Sequence, residues 1–100
     1  MNFEVHFSSA AEADIDQIFD YISITLCSPI AAQNLMAKFQ ESVNMLSDFP
    51  EAFALCQEEP WILRDVRSKP IENYRLFYRV DHDKRKVDIL RIFYYRQEEK

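Results

Sequence analysis

Two alternating runs, Tyr74–Asp81 and Lys86–Phe93, flank a short turn near the end of this chain and narrow its possible folds more than any other feature. In the first run Tyr74, Leu76, Tyr78 and Val80 alternate with Arg75, Phe77 and Arg79. A period of two is that of a strand with one buried face. Strands joined by so short a turn pair antiparallel. The turn, DHDK, contains no glycine, so Asp81 and Asp83 are the residues able to support it by bonding to nearby backbone. A third strand is predicted over Trp61–Ser68, with SKPIEN (Ser68–Asn73) turning into Tyr74. The three form a meander.

Before Pro50 the rhythm is different. In Asn2–Phe7, Phe3, Val5 and Phe7 alternate with polar residues, which predicts a short first strand. Ser8 or Ser9 can then cap a helix, and Glu12 stands three positions after Ser9 at capping-box spacing. Ile15, Ile18, Phe19, Ile22 and Leu26 recur at helical intervals. LCSPIAAQ breaks the helix, with Ser28 and Pro29 suited to the cap and first turn of the next. Leu35, Met36, Phe39, Val43 and Leu46 carry that second helix to about Ser47. Helices joined so closely pair as an antiparallel hairpin. DFPEAFALCQEEP (Asp48–Pro60) reads as loop. The expected fold is α+β, in the order β-α-α-β-β-β, with a helical hairpin covering one face of a small antiparallel sheet. Residues 1–100 make one domain.

Composition removes many functions. With 48% hydrophobic and 14% aromatic residues, the chain can pack a core. Glycine is absent, which excludes phosphate-cradling and dinucleotide-binding loops. His6 and His82 are the only histidines and read as solvated surface residues, so no metal site is expected. Cys27 and Cys56 lack zinc-site spacing and are expected as free, buried or half-buried thiols, with no cofactor implied. Asp14, Asp16 and Asp20 read as a solvated helix face. No run of apolar residues is long enough to span a membrane, and no secretion signal is visible, so a cytoplasmic protein is expected.

The net charge of −5 hides an asymmetry. Residues 1–60 hold ten acidic residues against Lys38, whereas residues 61–100 hold eleven basic against seven acidic. Any anion-binding face therefore belongs to the last forty residues. Arg75 and Arg79 share a strand face with Phe77, and Arg64, Arg67 and Lys69 precede them. Arg91, Tyr94, Tyr95 and Arg96 follow on the last strand and tail. Guanidinium groups interleaved with rings can hold phosphate and stack bases. The same arginines could equally pair with Asp65, Glu72, Asp81 and Asp88 as ordinary sheet decoration.

Taken in order, SSAAEADIDQIFDYIS, SPIAAQNLMAKFQESVNMLSDFP and ILRDVRSKPIENYRLFYRVDHDKRKVDILRIFYYRQ resemble the RelE/ParE superfamily of toxins from bacterial type II toxin–antitoxin systems. NYRLFYRVD is the most diagnostic piece, and the resemblance spans nearly the whole chain. It implies a growth inhibitor held by a cognate antitoxin in a heteromeric complex. It also implies either DNA gyrase or the ribosome and its mRNA as target, and no membrane. In the ribonuclease branches Arg75 would match a functional arginine and Arg96 another, with Tyr94 or Tyr95 as the acid or base. One branch ends in His-Tyr where this chain has Tyr94-Tyr95-Arg96. The gyrase-directed branch shares the long hairpin and lacks the complete ribonuclease set, so it is favoured over mRNA cleavage. A toxin-derived module that only binds antitoxin is the third option.

Overall fold

The computed structural model describes residues 2–57 and 64–95. Strand β1 (Glu4–Phe7) leads into helix α1 (Ser9–Asp20), capped by the Ser8 hydroxyl, which accepts from the Ala11 N–H at 3.0 Å. A π-helical segment (Tyr21–Thr25) extends α1, and helix α2 (Pro29–Asp48) returns antiparallel with Pro29 in its first turn. Strands β2 (Arg67–Ile71), β3 (Tyr74–Asp81) and β4 (Lys86–Tyr94) form the meander. The sheet order is β1-β4-β3-β2, with β1 parallel to β4. The α+β order read from the sequence is the order observed.

The third strand is shifted from its expected place. The sequence reading set it at Trp61–Ser68 with a turn to Asn73, but the strand is Arg67–Ile71 and the turn is Glu72–Asn73. Trp61–Leu63 lie outside the described residues. Pro70 is accommodated within the strand because β2 is the last strand of the sheet, and an edge strand tolerates the missing N–H. Leu26 is also misplaced by a regular helical pattern. The π segment turns it outward, and it is 53% exposed while Ile22 still packs on the core.

The core lies between the hairpin and one sheet face. Ala11, Leu35, Phe39 and Leu46 pack on Leu76, Tyr78, Val87, Ile89 and Ile92. Burying each of the large side chains stabilises by about 1.5–3 kcal/mol. Tyr78 is fully buried, its hydroxyl donates to the Pro50 carbonyl at 2.8 Å, and burial pushes its pKa up to about 12. The opposite sheet face carries a smaller cluster of Phe77, Val66 and Cys56, with Leu90 beside it. Both cysteines are free, and Cys56 is buried as expected, but Cys27 stands exposed in the connection between the two helices.

β1 is short, and this sets up the site. It covers β4 only as far as Phe7–Ile89, and α1 takes over its place along the rest of that edge. Ser8 donates its N–H to the Ile89 carbonyl and its hydroxyl to the Leu90 carbonyl. A register shift against Phe77 and Tyr78 falls at the same level of β4.

Candidate functional site

On the sheet face away from the hairpin, rings and guanidinium groups form a continuous chain. The Arg91 guanidinium lies 4.5 Å from the Phe93 ring centre, and Phe93 meets Phe77 edge-on at 5.8 Å. Arg75 stands over both Phe77, at 5.6 Å, and Tyr95, at 4.7 Å. Cation–ring contacts of this kind each contribute on the order of 0.5–1 kcal/mol at partly exposed sites. Arg75 also donates to the Ser68 hydroxyl at 2.7 Å. Cross-strand geometry explains the meeting, because Ser68 pairs with Phe77 and Arg75 with Phe93. Arg75 has no carboxylate partner among the described residues. It faces an open groove of about 650 Å³ lined by Leu55, Cys56, Gln57, Asn73 and Tyr95 among others.

Arg91 is spent differently. Its Nε and Nη2 donate to the two Asp14 carboxylate oxygens at 2.8 and 2.9 Å, and the Ile92 N–H joins them at 2.9 Å. Asp14 is only 8% exposed, so it is no part of a solvated helix face, as the sequence reading had it. Burial alone would raise its pKa. The hydrogen bonds from Arg91 and the Ile92 N–H, with the Arg91 charge, outweigh burial and hold it below 3.8. A signal for this existed: Asp14 falls on the apolar stripe between Ala11 and Ile18. Asp16 and Asp20 are exposed, as expected.

The other predicted site residues scatter. Arg67 donates to the Phe53 carbonyl at 2.7 Å and pairs with Glu51 at 3.6 Å, so it fastens the loop after α2. Lys69 covers the Phe53 ring at 5.0 Å, and burial lowers its pKa. Arg64 and Arg79 are exposed. Tyr94 turns to the hairpin side and meets Tyr74 edge-on at 5.6 Å. Arg96 lies outside the described residues. Among the described residues none of the expected acidic partners takes these arginines: Glu72 pairs with Lys38, and Asp88 with Lys86. Ser68, which the sequence did not single out, is the polar partner that Arg75 found. His6 pairs with Glu4 and His82 with Glu51, both at the surface and neither lining the Arg75 groove. No cluster able to hold a metal occurs among the described residues.

A second, larger groove of about 1060 Å³ opens between the hairpin and the end of the sheet. Ile18, Ile22, Leu35 and Ile92 contribute apolar surface, and Tyr21, Tyr74, Phe93 and Tyr94 contribute rings. Its charged groups are internally paired as Asp14–Arg91 and Lys38–Glu72. The Glu72–Asn73 turn lines both grooves and divides them.

Comparison with known proteins gives this arrangement a family. A chain of the chromosomal ParDE toxin–antitoxin system of P. aeruginosa is 25% identical and superposes with a TM-score of 0.74, covering 94% of this chain and 97% of that one. A chain of the RelBE2 toxin–antitoxin complex of Mycobacterium tuberculosis, 21% identical, shares the fold with a TM-score of 0.67 over 94% of this chain and 99% of that one. No curated protein matches at a significant level. The family model described as ParE toxin of type II toxin–antitoxin system, parDE, matches residues 5–99, and the chain therefore belongs to the ParE toxin family within the RelE/ParE fold.

Proposed function

We infer that this toxin arrests growth by binding DNA gyrase through the Arg75 face, and that its cognate antitoxin silences it in a heteromeric complex. The observation carrying the reading is the setting of Arg75: a guanidinium without a carboxylate partner among the described residues, held between Phe77 and Tyr95 and oriented by Ser68. A hydroxyl and two rings make a surface for binding an acidic or phosphate-bearing target. Both histidines are engaged elsewhere, which supports inhibition by binding over proton-transfer chemistry. Membership in a gyrase-linked toxin branch, suggested by the long hairpin, adds to this support. Purified toxin should block gyrase supercoiling or trap its cleaved DNA at micromolar concentration, and unaffected gyrase overturns the reading.

One feature favours a second reading, cleavage of mRNA on the ribosome. Tyr95 stacked on Arg75 can accept a base beside a phosphate. Codon-positioned cuts in a translation extract that disappear with Arg75→Ala would establish it, with Tyr95 and Arg96 as the other catalytic residues. Growth unaffected by the unopposed chain would reduce it to an antitoxin-binding module.

A further inference from the structure

The tip of the hairpin is built unlike the rest of the molecule. From Tyr21 to Ala37 seventeen consecutive residues carry no charge, the longest such run in a chain that is 29% charged. Within it Tyr21 is 52% exposed, Ile24 70%, Leu26 53% and Ile30 73%. The backbone that presents them is irregular. Leu26 N–H bonds to the Tyr21 carbonyl across a π turn, and Cys27 is held at φ 53° although it is not glycine. Such conformations are unfavourable in isolation and persist where the surroundings or a function hold them. Tyr21 and Leu26 also line the larger groove, but Ile24 and Ile30 do not. These two isoleucines serve neither the core nor the groove.

We propose that this tip is a self-association surface, where a second copy of the chain docks tip to tip about a two-fold axis. Charge selects the occupant. Residues 9–48 carry six carboxylates and one ammonium, so two hairpins meeting side by side would oppose acid to acid. At the tip they meet without like charges, and a partner recruited by electrostatics would find nothing there to read. Isologous contacts need one self-complementary patch, which a charge-free apolar tip supplies. The four side chains expose on the order of 100 Å² each, so a pair would bury up to roughly 800 Å², the size of a weak, concentration-dependent interface. Cys27 is exposed within the tip and places a free thiol near the axis, whereas Cys56 is buried.

Sedimentation velocity of the purified full chain from low to high micromolar concentration tests this. Wild type should pass from monomer to dimer, and a short bismaleimide should link it through Cys27, with Cys27→Ser abolishing the link. Ile24→Asp/Ile30→Asp changes only exposed side chains and should weaken the dimer by about tenfold or more while the melting curve stays that of wild type. A wild type that remains monomeric overturns the proposal. Association unchanged in the double variant overturns it too, since the interface would then lie elsewhere. A double variant that loses growth arrest while wild type never dimerises also overturns it, and gives the tip to the target. None of these readouts requires gyrase to be that target.

Discussion

Arg91 and Arg75 stand on neighbouring strands of one sheet, each over a phenylalanine ring, yet among the described residues only Arg91 is paired with a carboxylate. The difference begins with the length of β1. Because that strand ends at Phe7, the far half of the β4 edge is left to α1, and Asp14 arrives with both oxygens aimed at Arg91 and the Ile92 N–H. Arg75 lies inside the meander, where its neighbours across the ladder are Pro70 and Phe93. Among the described residues no acid pairs with it, and its guanidinium donates instead to the Ser68 hydroxyl. Strand alternation decides which arginines face outward. The end of another strand decides which of them remain available.

Replacing each arginine gives the sharpest test. Arg75→Ala should weaken growth arrest by about thirtyfold or more, the effect of losing one binding hot spot, at unchanged thermal stability. Arg91→Ala should keep arrest at permissive temperature and instead lower stability. If Arg75→Ala arrests growth as well as wild type at equal abundance, the contrast between the two arginines has no functional meaning.

Removing the acid comes next in size. Asp14→Ala leaves the buried Ile92 N–H and the Arg91 guanidinium without their acceptor, and urea unfolding should show a loss of about 3 kcal/mol. Arg91, freed in this variant, would resemble Arg75, so any gain in binding to polyanions would report on the pairing itself.

The same pair predicts a pH dependence. The Asp14 pKa is lower in the folded protein than its ordinary 3.8. Its contribution to stability is therefore complete above that value, and it is lost as pH falls through the folded value. Denaturant midpoints measured between neutral and strongly acidic pH should fall more gently for Asp14→Asn than for wild type at the acid end. Parallel curves would mean that the pair contributes little.

The sequence made some of this legible and hid the rest for physical reasons. The helical hairpin, β3 and β4 were readable because their apolar residues keep a clear period, and the outward placement of Arg75 follows from that alternation alone. Arg67 and Lys69 alternate just as well. They nonetheless turn to Glu51 and Phe53, because the loop after α2 folds back over β2, and no local pattern announces that return. The parallel pairing of β1 with β4 is likewise a long-range event. Asp14 could have been found by its place on the apolar stripe. Ser68 could not, since its role comes from standing across the ladder from Phe77, beside Arg75.

The ridge between the two grooves supplies the smallest expected effect. Glu72 has a left-handed backbone, φ 55°, and pairs with Lys38 at 3.4 Å with both side chains about half exposed. An exposed pair of this kind contributes less than about 1 kcal/mol, while a non-glycine residue other than asparagine or aspartate is uncomfortable at that φ. Glu72→Asn removes the first and relieves the second. Its unfolding free energy should stay within about 0.5 kcal/mol of wild type. Lys38→Ala removes the ion pair without touching the backbone and should lower stability slightly. If Glu72→Asn proved as damaging as Asp14→Ala, the charges paired along the larger groove would be equal supports of the fold, and the exposed Lys38–Glu72 pair would matter as much as the buried Asp14 clamp. The burial of Asp14 at 8%, against half exposure for Glu72, argues that they are not.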